Sequence, residues 1–163
     1  MPSSYTSSIW VKTSLTNSSQ IFLTDRGPGS WWYKNTMSTN SNGLSYVGSH
    51  YNCSNGTQTN ASSITDDQWH NLVAVYNHNN LTIQIYLDGI LVSTNSISPN
   101  CFPNVSQPTT IGCLTGVLGS PDDHFVNGLL DDIGIWNRAL TSQEIQELYS
   151  VTYTATYTTT SNI

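Results

Sequence analysis

A chain of 163 residues fits one domain with a core of its own, or a domain followed by a short tail, and it excludes two large catalytic domains. Four Lys and Arg face ten Asp and Glu, a formal charge of −6 that argues against nucleic acid and anionic membrane partners, which need basic patches. Charged residues make up only 9%, yet 37% apolar residues, five Trp and nine Tyr supply enough buriable surface for a packed, β-rich fold rather than a disordered chain.

In chain order, residues 1–9 have neither a basic stretch nor an apolar run and do not read as a signal peptide. Runs of β-branched and aromatic residues at 9–13, 20–24 and 44–47 predict the first strands. From His70 to Tyr76 a further strand presents Leu72, Ala74 and Tyr76 on one face, and residues 77–80 turn the chain. Ile83, Ile85 and Leu87 then alternate with Thr82, Gln84 and Tyr86, the two-residue period of a strand buried on one side. Asp88-Gly89 follows, a dipeptide that tolerates positive φ at both positions of a tight hairpin turn, and Ile90-Leu91-Val92 supplies the returning strand. This three-strand meander over residues 70–93 is the clearest local pattern.

Two more runs, at 109–114 and 129–136, complete a series of short strands with polar or Gly/Pro-rich spacers, which predicts an all-β sandwich rather than βαβ units. Ile85, Leu129 and Ile135 are expected on the facing surfaces of its two layers. One short C-terminal helix is predicted from Thr141, whose hydroxyl caps it. Glu144 completes a capping box there, Leu140 staples against Ile145, and Ile145, Leu148 and Tyr149 form the buried stripe. Residues 1–150 thus read as one domain, and 151–163 as a Thr/Tyr-rich tail that is either an extra strand or a linker. No stretch approaches the roughly 20 apolar residues of a membrane-spanning helix, so membrane insertion is not expected.

Chemistry-bearing residues are sparse. Cys53, Cys101 and Cys113 allow one disulfide in three pairings and leave an odd thiol. Neither the cysteines nor the four histidines show zinc-ligand spacing. Six N-x-[ST] triplets begin at Asn17, Asn52, Asn55, Asn60, Asn80 and Asn104, a number that a chain this rich in Asn, Ser and Thr produces by chance. No nucleophile elbow or phosphate loop is present. Trp31-Trp32-Tyr33, with Tyr46, His50 and Tyr51, lies in a region dense with Asn and Ser. Flat rings among adaptable hydrogen-bonding groups suit a hydroxyl-rich ligand, and the same rings equally suit a core edge. Asp122-Asp123 is a candidate cation ligand pair, or simply a solvated loop.

Five segments, taken in order, resemble the laminin G-like, concanavalin A-like lectin-glucanase superfamily: Ile9-Trp-Val-Lys12, the stretch 67–76 (DQWHNLVAVY), the stretch 85–92 (IYLDGILV), Thr110-Ile-Gly112 and the stretch 127–140 (NGLLDDIGIWNRAL). The resemblance covers about residues 7 to 150 and implies a jelly roll of two antiparallel sheets packed face to face. It assigns Trp10, Trp69 and Trp136 to core or inter-sheet positions. Asp131 and its neighbour Asp132 fall where similar domains carry an acidic pair, the first of which can ligate a structural calcium; an acid bonded to a neighbouring turn is the other reading.

Related hydrolases carry E-x-D-x-x-E on a strand, whereas both glutamates here, Glu144 and Glu147, fall on the predicted helix, so an enzyme is not expected. The resemblance implies a secreted or surface-displayed binding module whose partner is a glycan or a cell-surface glycoprotein. A structural or adhesive module of a surface assembly or fibre is the alternative, with self-association through the C-terminal tail. Members of this branch carry further strand-forming sequence ahead of the first matched segment, which leaves a sheet edge for that tail to cover.

Overall fold

Alternation of apolar and polar residues sorts the chain onto two antiparallel sheets. The computed structural model describes residues 4–14, 18–25, 36–40, 45–48, 63–97, 109–114 and 124–152. Its elements are β1 (Tyr5–Thr13), β2 (Gln20–Thr24), β3 (Thr36–Thr39), β4 (Ser45–Gly48), β5 (Trp69–Asn77), β6 (Thr82–Leu87), β7 (Ile90–Ser96), β8 (Thr110–Ile111), β9 (Gly128–Trp136) and α1 (Ser142–Thr152). One sheet runs β7-β6-β5-β1-β9 and the other β4-β3-β2-β8. The expected all-β jelly-roll sandwich with one short C-terminal helix is therefore the observed fold. The meander expected over residues 70–93 is β5-β6-β7, and Asp88 and Gly89 at its turn both hold positive φ, 51° and 76°.

The two sheets meet through one apolar layer. Ile9 and Val11 of β1, Leu72, Ala74 and Tyr76 of β5, and Ile83, Ile85 and Leu87 of β6 pack against Phe22 and Leu23 of β2 and Met37 of β3. A register shift between Ile21 and Leu23 lets the consecutive residues Phe22 and Leu23 both enter this core. Strand β3, Thr-Met-Ser-Thr, escapes the hydrophobic pattern because most of its buried groups are hydroxyls; Thr36 and Thr24 share a hydrogen bond at 3.0 Å. The run expected at 109–114 contributes only the two residues of β8.

Helix α1 covers part of the outer face of the five-stranded sheet. Leu140 and Ile145 close over Val73, Val75 and Tyr86, with Trp136 and Ala139 at the margin. The capping box is formed: the Thr141 N–H donates to Glu144 Oε2 at 2.8 Å, and the Glu144 N–H to Thr141 Oγ1 at 3.3 Å. Arg138 grips the same carboxylate with both guanidinium arms, at 2.8 and 2.9 Å. That grip, reinforced by the Thr141 N–H, pulls the Glu144 carboxyl down to about 2. Thr6 ties the helix entry to β1 by donating to the Arg138 carbonyl and accepting the Leu140 N–H. At the far end Tyr149 stacks on Trp10, centroids 5.6 Å apart. It also crowds Gly89, where a Cβ would sit 3.3 Å from the tyrosine and where φ of 76° already favours glycine.

Three expected core positions require correction. Ile85 is fully buried, but Leu129 and Ile135 are 57% and 59% exposed. The cause is the position and shape of β9. It is an edge strand, and between the pairs Ser8–Gly134 and Trp10–Asp131 it carries Asp132 and Ile133 opposite the single residue Ile9. Asp132 takes up the extra length with φ at 44°. Leu130 is the β9 residue that packs on the core. Trp69 also departs from its expected structural place: at the first position of β5 its indole is 40% exposed, while Trp10 is buried.

These positions separate core from surface experimentally. Ile85→Ala should destabilise the fold by about 2–5 kcal/mol in urea unfolding, and Ile135→Ala by less than about 0.5 kcal/mol. Equal losses would contradict the burial described.

Candidate functional site

Most of the residues singled out from sequence lie outside the described residues: Trp31, Trp32, Tyr33, His50, Tyr51, Asp122 and Asp123, together with Cys53, Cys101 and the tail beyond Thr152. Tyr46 sits in β4 opposite Ser38. Asp131 and Asp132 lie exposed on β9, and Asp131 Oδ1 accepts the N–H of Asp132 at 2.8 Å. Calcium takes six to eight oxygens. Among the described residues no three His, Cys, Asp or Glu side chains converge on a common point, so this pair alone does not make up a calcium cage.

A cleft that sequence spacing did not announce opens between the sheets where β1 and β9 face the ends of β2 and β8. It measures about 290 Å³ and is lined by Tyr5, Ser7, Asp25, Thr109, Ile135, Trp136 and Asn137. These residues are scattered along the chain and are joined only by topology. Tyr5 stacks on Tyr76 with ring centroids 4.3 Å apart. Burial, then the adjacent Tyr76 and Asp25, raise its phenol well above the usual range, so it stays protonated. On the opposite wall Asp25 Oδ1 accepts the Thr109 hydroxyl at 2.7 Å. The exposed Ile135 provides an apolar wall; Asp25, Thr109 and Asn137 provide a hydrogen-bonding rim. Apolar walls with a few convergent polar groups are what a small polar ligand requires.

At the other end of the five-stranded sheet, His70 is bracketed by two carboxylates. Its Nδ1 lies 2.8 Å from Asp88 Oδ2 and its Nε2 3.0 Å from Asp66 Oδ1. Each aspartate is also fixed by backbone, as their turn positions suggested: Asp88 Oδ1 accepts the Asn71 N–H, and Asp66 Oδ1 accepts the Gln68 N–H. The Gln68 N–H first, and then His70, hold the Asp66 carboxyl below its ordinary value. For His70, burial opposes the charge but the bonds to Asp88 and Asp66 outweigh it, and its pKa is raised. Both ring nitrogens can donate to carboxylates only as imidazolium. The group therefore clamps the β6–β7 turn to the loop before β5 instead of offering a free base.

The two glutamates are equally occupied. Glu144 is held by Arg138 and Thr141, and Glu147 Oε1 accepts the Gln143 amide at 3.0 Å. Both lie on the helix, outside the cleft.

A raised folded pKa means that the His70 clamp stabilises fully below the unfolded value of about 6.5 and fades as pH climbs through the folded one. The stability gap between the native chain and His70→Gln should thus be wide at mildly acidic pH and narrow at alkaline pH; a gap that widens with pH would refute the clamp. Melts in excess calcium and in chelator test the metal expectation: a higher melt with calcium would support Asp131, or Asp122 and Asp123, as ligands, and coincident curves would remove them.

Comparison with known proteins places this geometry. Among curated protein sequences none matches. Of the 211 matching chains of known structure, the native heptameric SAP-like pentraxin of Limulus polyphemus aligns at TM-score 0.66 and 16% identity, over 90% of this chain and 69% of its own. Botulinum neurotoxin type C, whose cell entry depends on two ganglioside molecules, aligns at 0.69 and 16% identity over 93% of this chain. The binding domain of botulinum neurotoxin DC, in complex with rat synaptotagmin II, gives 0.68 at 16% identity and 93% coverage. This chain spans 36% of either toxin chain. At such identities the likeness is one of fold. A laminin G family model, described as concanavalin A-like lectin/glucanases superfamily, matches residues 1–146, and the chain belongs to that superfamily.

Proposed function

We propose that the chain is a non-catalytic recognition module that binds carbohydrate, displayed outside the cell or on its surface. The observation that carries this reading is the inter-sheet cleft of about 290 Å³, with Ile135 as its apolar wall and Asp25, Thr109 and Asn137 around it. Sugar rings combine apolar C–H faces with a girdle of hydroxyls, so they need both kinds of surface within one ring's width. The opening suits the end of a glycan better than a long chain lying flat. A solved neighbour whose cell entry depends on two ganglioside molecules supports the reading. Against a hydrolytic role stands the placement of both glutamates on the helix, and among the described residues Asp25 is the one carboxylate lining the cleft, where hydrolysis needs a pair. The aromatic segment at Trp31, Trp32 and Tyr33 belongs to the same proposal as an additional platform, and self-pairing through residues 153–163 belongs to the adhesive alternative.

Glycan-array binding by the intact chain tests the proposal. Ile135→Ser and Asn137→Ala, both at exposed positions, should each weaken the strongest array signal by about tenfold, some 1.4 kcal/mol, without altering the melt. An array on which nothing rises above background, or signals indifferent to both substitutions, would overturn it. Concentration-dependent assembly that vanishes when residues 153–163 are removed would favour the adhesive alternative instead.

A further inference from the structure

Helix α1 leaves the outer face of β1 bare at its Lys12 end. Eleven helical residues span about 16 Å, whereas the nine residues of β1 extend about 30 Å. Cover begins at Thr6, which is bonded to the helix entry, and ends at Trp10, under the stacked ring of Tyr149. The next outward residue of β1 is Lys12. Its cross-strand partners are Trp69 of β5 on one side and Leu129 of β9 on the other, and directly paired residues point to the same face. Trp69 is 40% exposed and Leu129 is 57% exposed. An indole, an ammonium stem and a leucine thus form one row across three strands.

Beside this row the backbone holds an acid in place. Asp67 adopts φ of 61° and donates its N–H to the Thr13 carbonyl at 3.1 Å. Its carboxylate oxygen stands 3.8 Å from Lys12 Nζ, with the two side chains 65% and 33% exposed. That separation exceeds hydrogen-bonding distance. An exposed pair of this kind contributes little to stability. The ammonium protons and carboxylate lone pairs of Lys12 and Asp67 are therefore not spent on each other. Adjacent hydroxyls of a sugar ring, each both donor and acceptor, fit between such a donor and such an acceptor while the ring's C–H face lies on the indole.

Charge narrows the ligand further. Among the described residues, the charged groups along these strand ends besides Lys12 are the carboxylates of Asp67, Asp131 and Asp132, and the His70 clamp with Asp66 and Asp88, in a chain of net charge −6. A carboxylated sugar would enter an acidic surrounding. We infer that Trp69, Lys12 and Asp67 form a second saccharide contact, distinct from the cleft, that takes a neutral pyranose residue stacked on Trp69 and discriminates against uronic and sialic acids. This rests on the carbohydrate-recognition reading and specifies a ligand class within it.

The test uses the intact, isotope-labelled chain and a matched pair of probes, galactotriose and trigalacturonate, which share ring stereochemistry and differ in oxidation at C6. The indole N–H resonance lost in Trp69→Phe is the readout. Galactotriose should move it in a saturable manner, with trigalacturonate at least about tenfold weaker. Lys12→Met and Asp67→Asn should each weaken the galactotriose response several-fold, and Trp69→Ala should abolish the response of its neighbours. Ile135→Ser should leave it unchanged. No shift with either probe, equal affinity for both, or a response indifferent to Lys12 and Asp67 would overturn the inference. Glycan binding that disappears in the Ile135 variant but persists in Trp69→Ala would leave the cleft proposal standing and remove only this second contact.

Discussion

Strand β1 is paired along both of its edges and buried along its inner face, and the functional geometry depends on that triple constraint. Its neighbours are β5 and β9, and its inward residues Ile9 and Val11 pack on the smaller sheet. A strand so enclosed cannot slip by one residue without exchanging its two faces. Register therefore fixes what lies at each end. Tyr5 and Ser7 line the inter-sheet cleft at one end, while Lys12 stands beside Trp69 at the other. Both proposed contacts are supported by the same nine residues, which makes β1 the element on which their separation is set.

Polar chemistry in this chain is mostly local. With few charged residues, the fold relies on hydroxyl and amide bonds, among them the Thr24–Thr36 pair inside the smaller sheet and the Thr6 tie between β1 and the helix entry. The charged groups that are present are paired closely where they fix a turn or a helix end, as with His70 and Glu144. Where they face open solvent beside an apolar ring, as with Lys12 and Asp67, they stand slightly apart. The first arrangement holds structure together; the second leaves hydrogen-bonding capacity for a ligand.

The fold was largely legible because it is written in local rules. Ile83, Ile85 and Leu87 alternate, Asp88-Gly89 demands positive φ, and Thr141 with Glu144 spells a capping box, so the meander and the helix follow directly. Strand β3 was not legible, since Thr36–Thr39 buries hydroxyls that read as solvent-exposed until their partners are known. Leu129 was misplaced because an inserted residue in β9 turns it to the outer face beside Lys12, and a one-residue bulge has no signature in an apolar run. Ile135 keeps the inner side, opposite Ser7, but stands exposed in the cleft because β9 is an edge strand. The cleft was illegible for a related reason. Asp25, Thr109 and Asn137 share no spacing, and only the closure of the two sheets brings them together. Trp69 was read as structural from its place in a family pattern; the length of α1, not that pattern, leaves its indole uncovered.

Irregular pairing at the two borders of the larger sheet has a consequence of its own. Strand β9 carries the insertion at Asp132, and β7 carries one between Leu91 and Ser93, where Ile85 and Tyr86 of β6 mark the shift. Each rim is thus bent midway, and on β9 the bend bears two carboxylates. A straight rim of unpaired amides would invite an identical molecule to zip alongside; these bent, partly acidic rims offer no such template. On this sheet, copies crowded side by side would find no straight edge along which to pair.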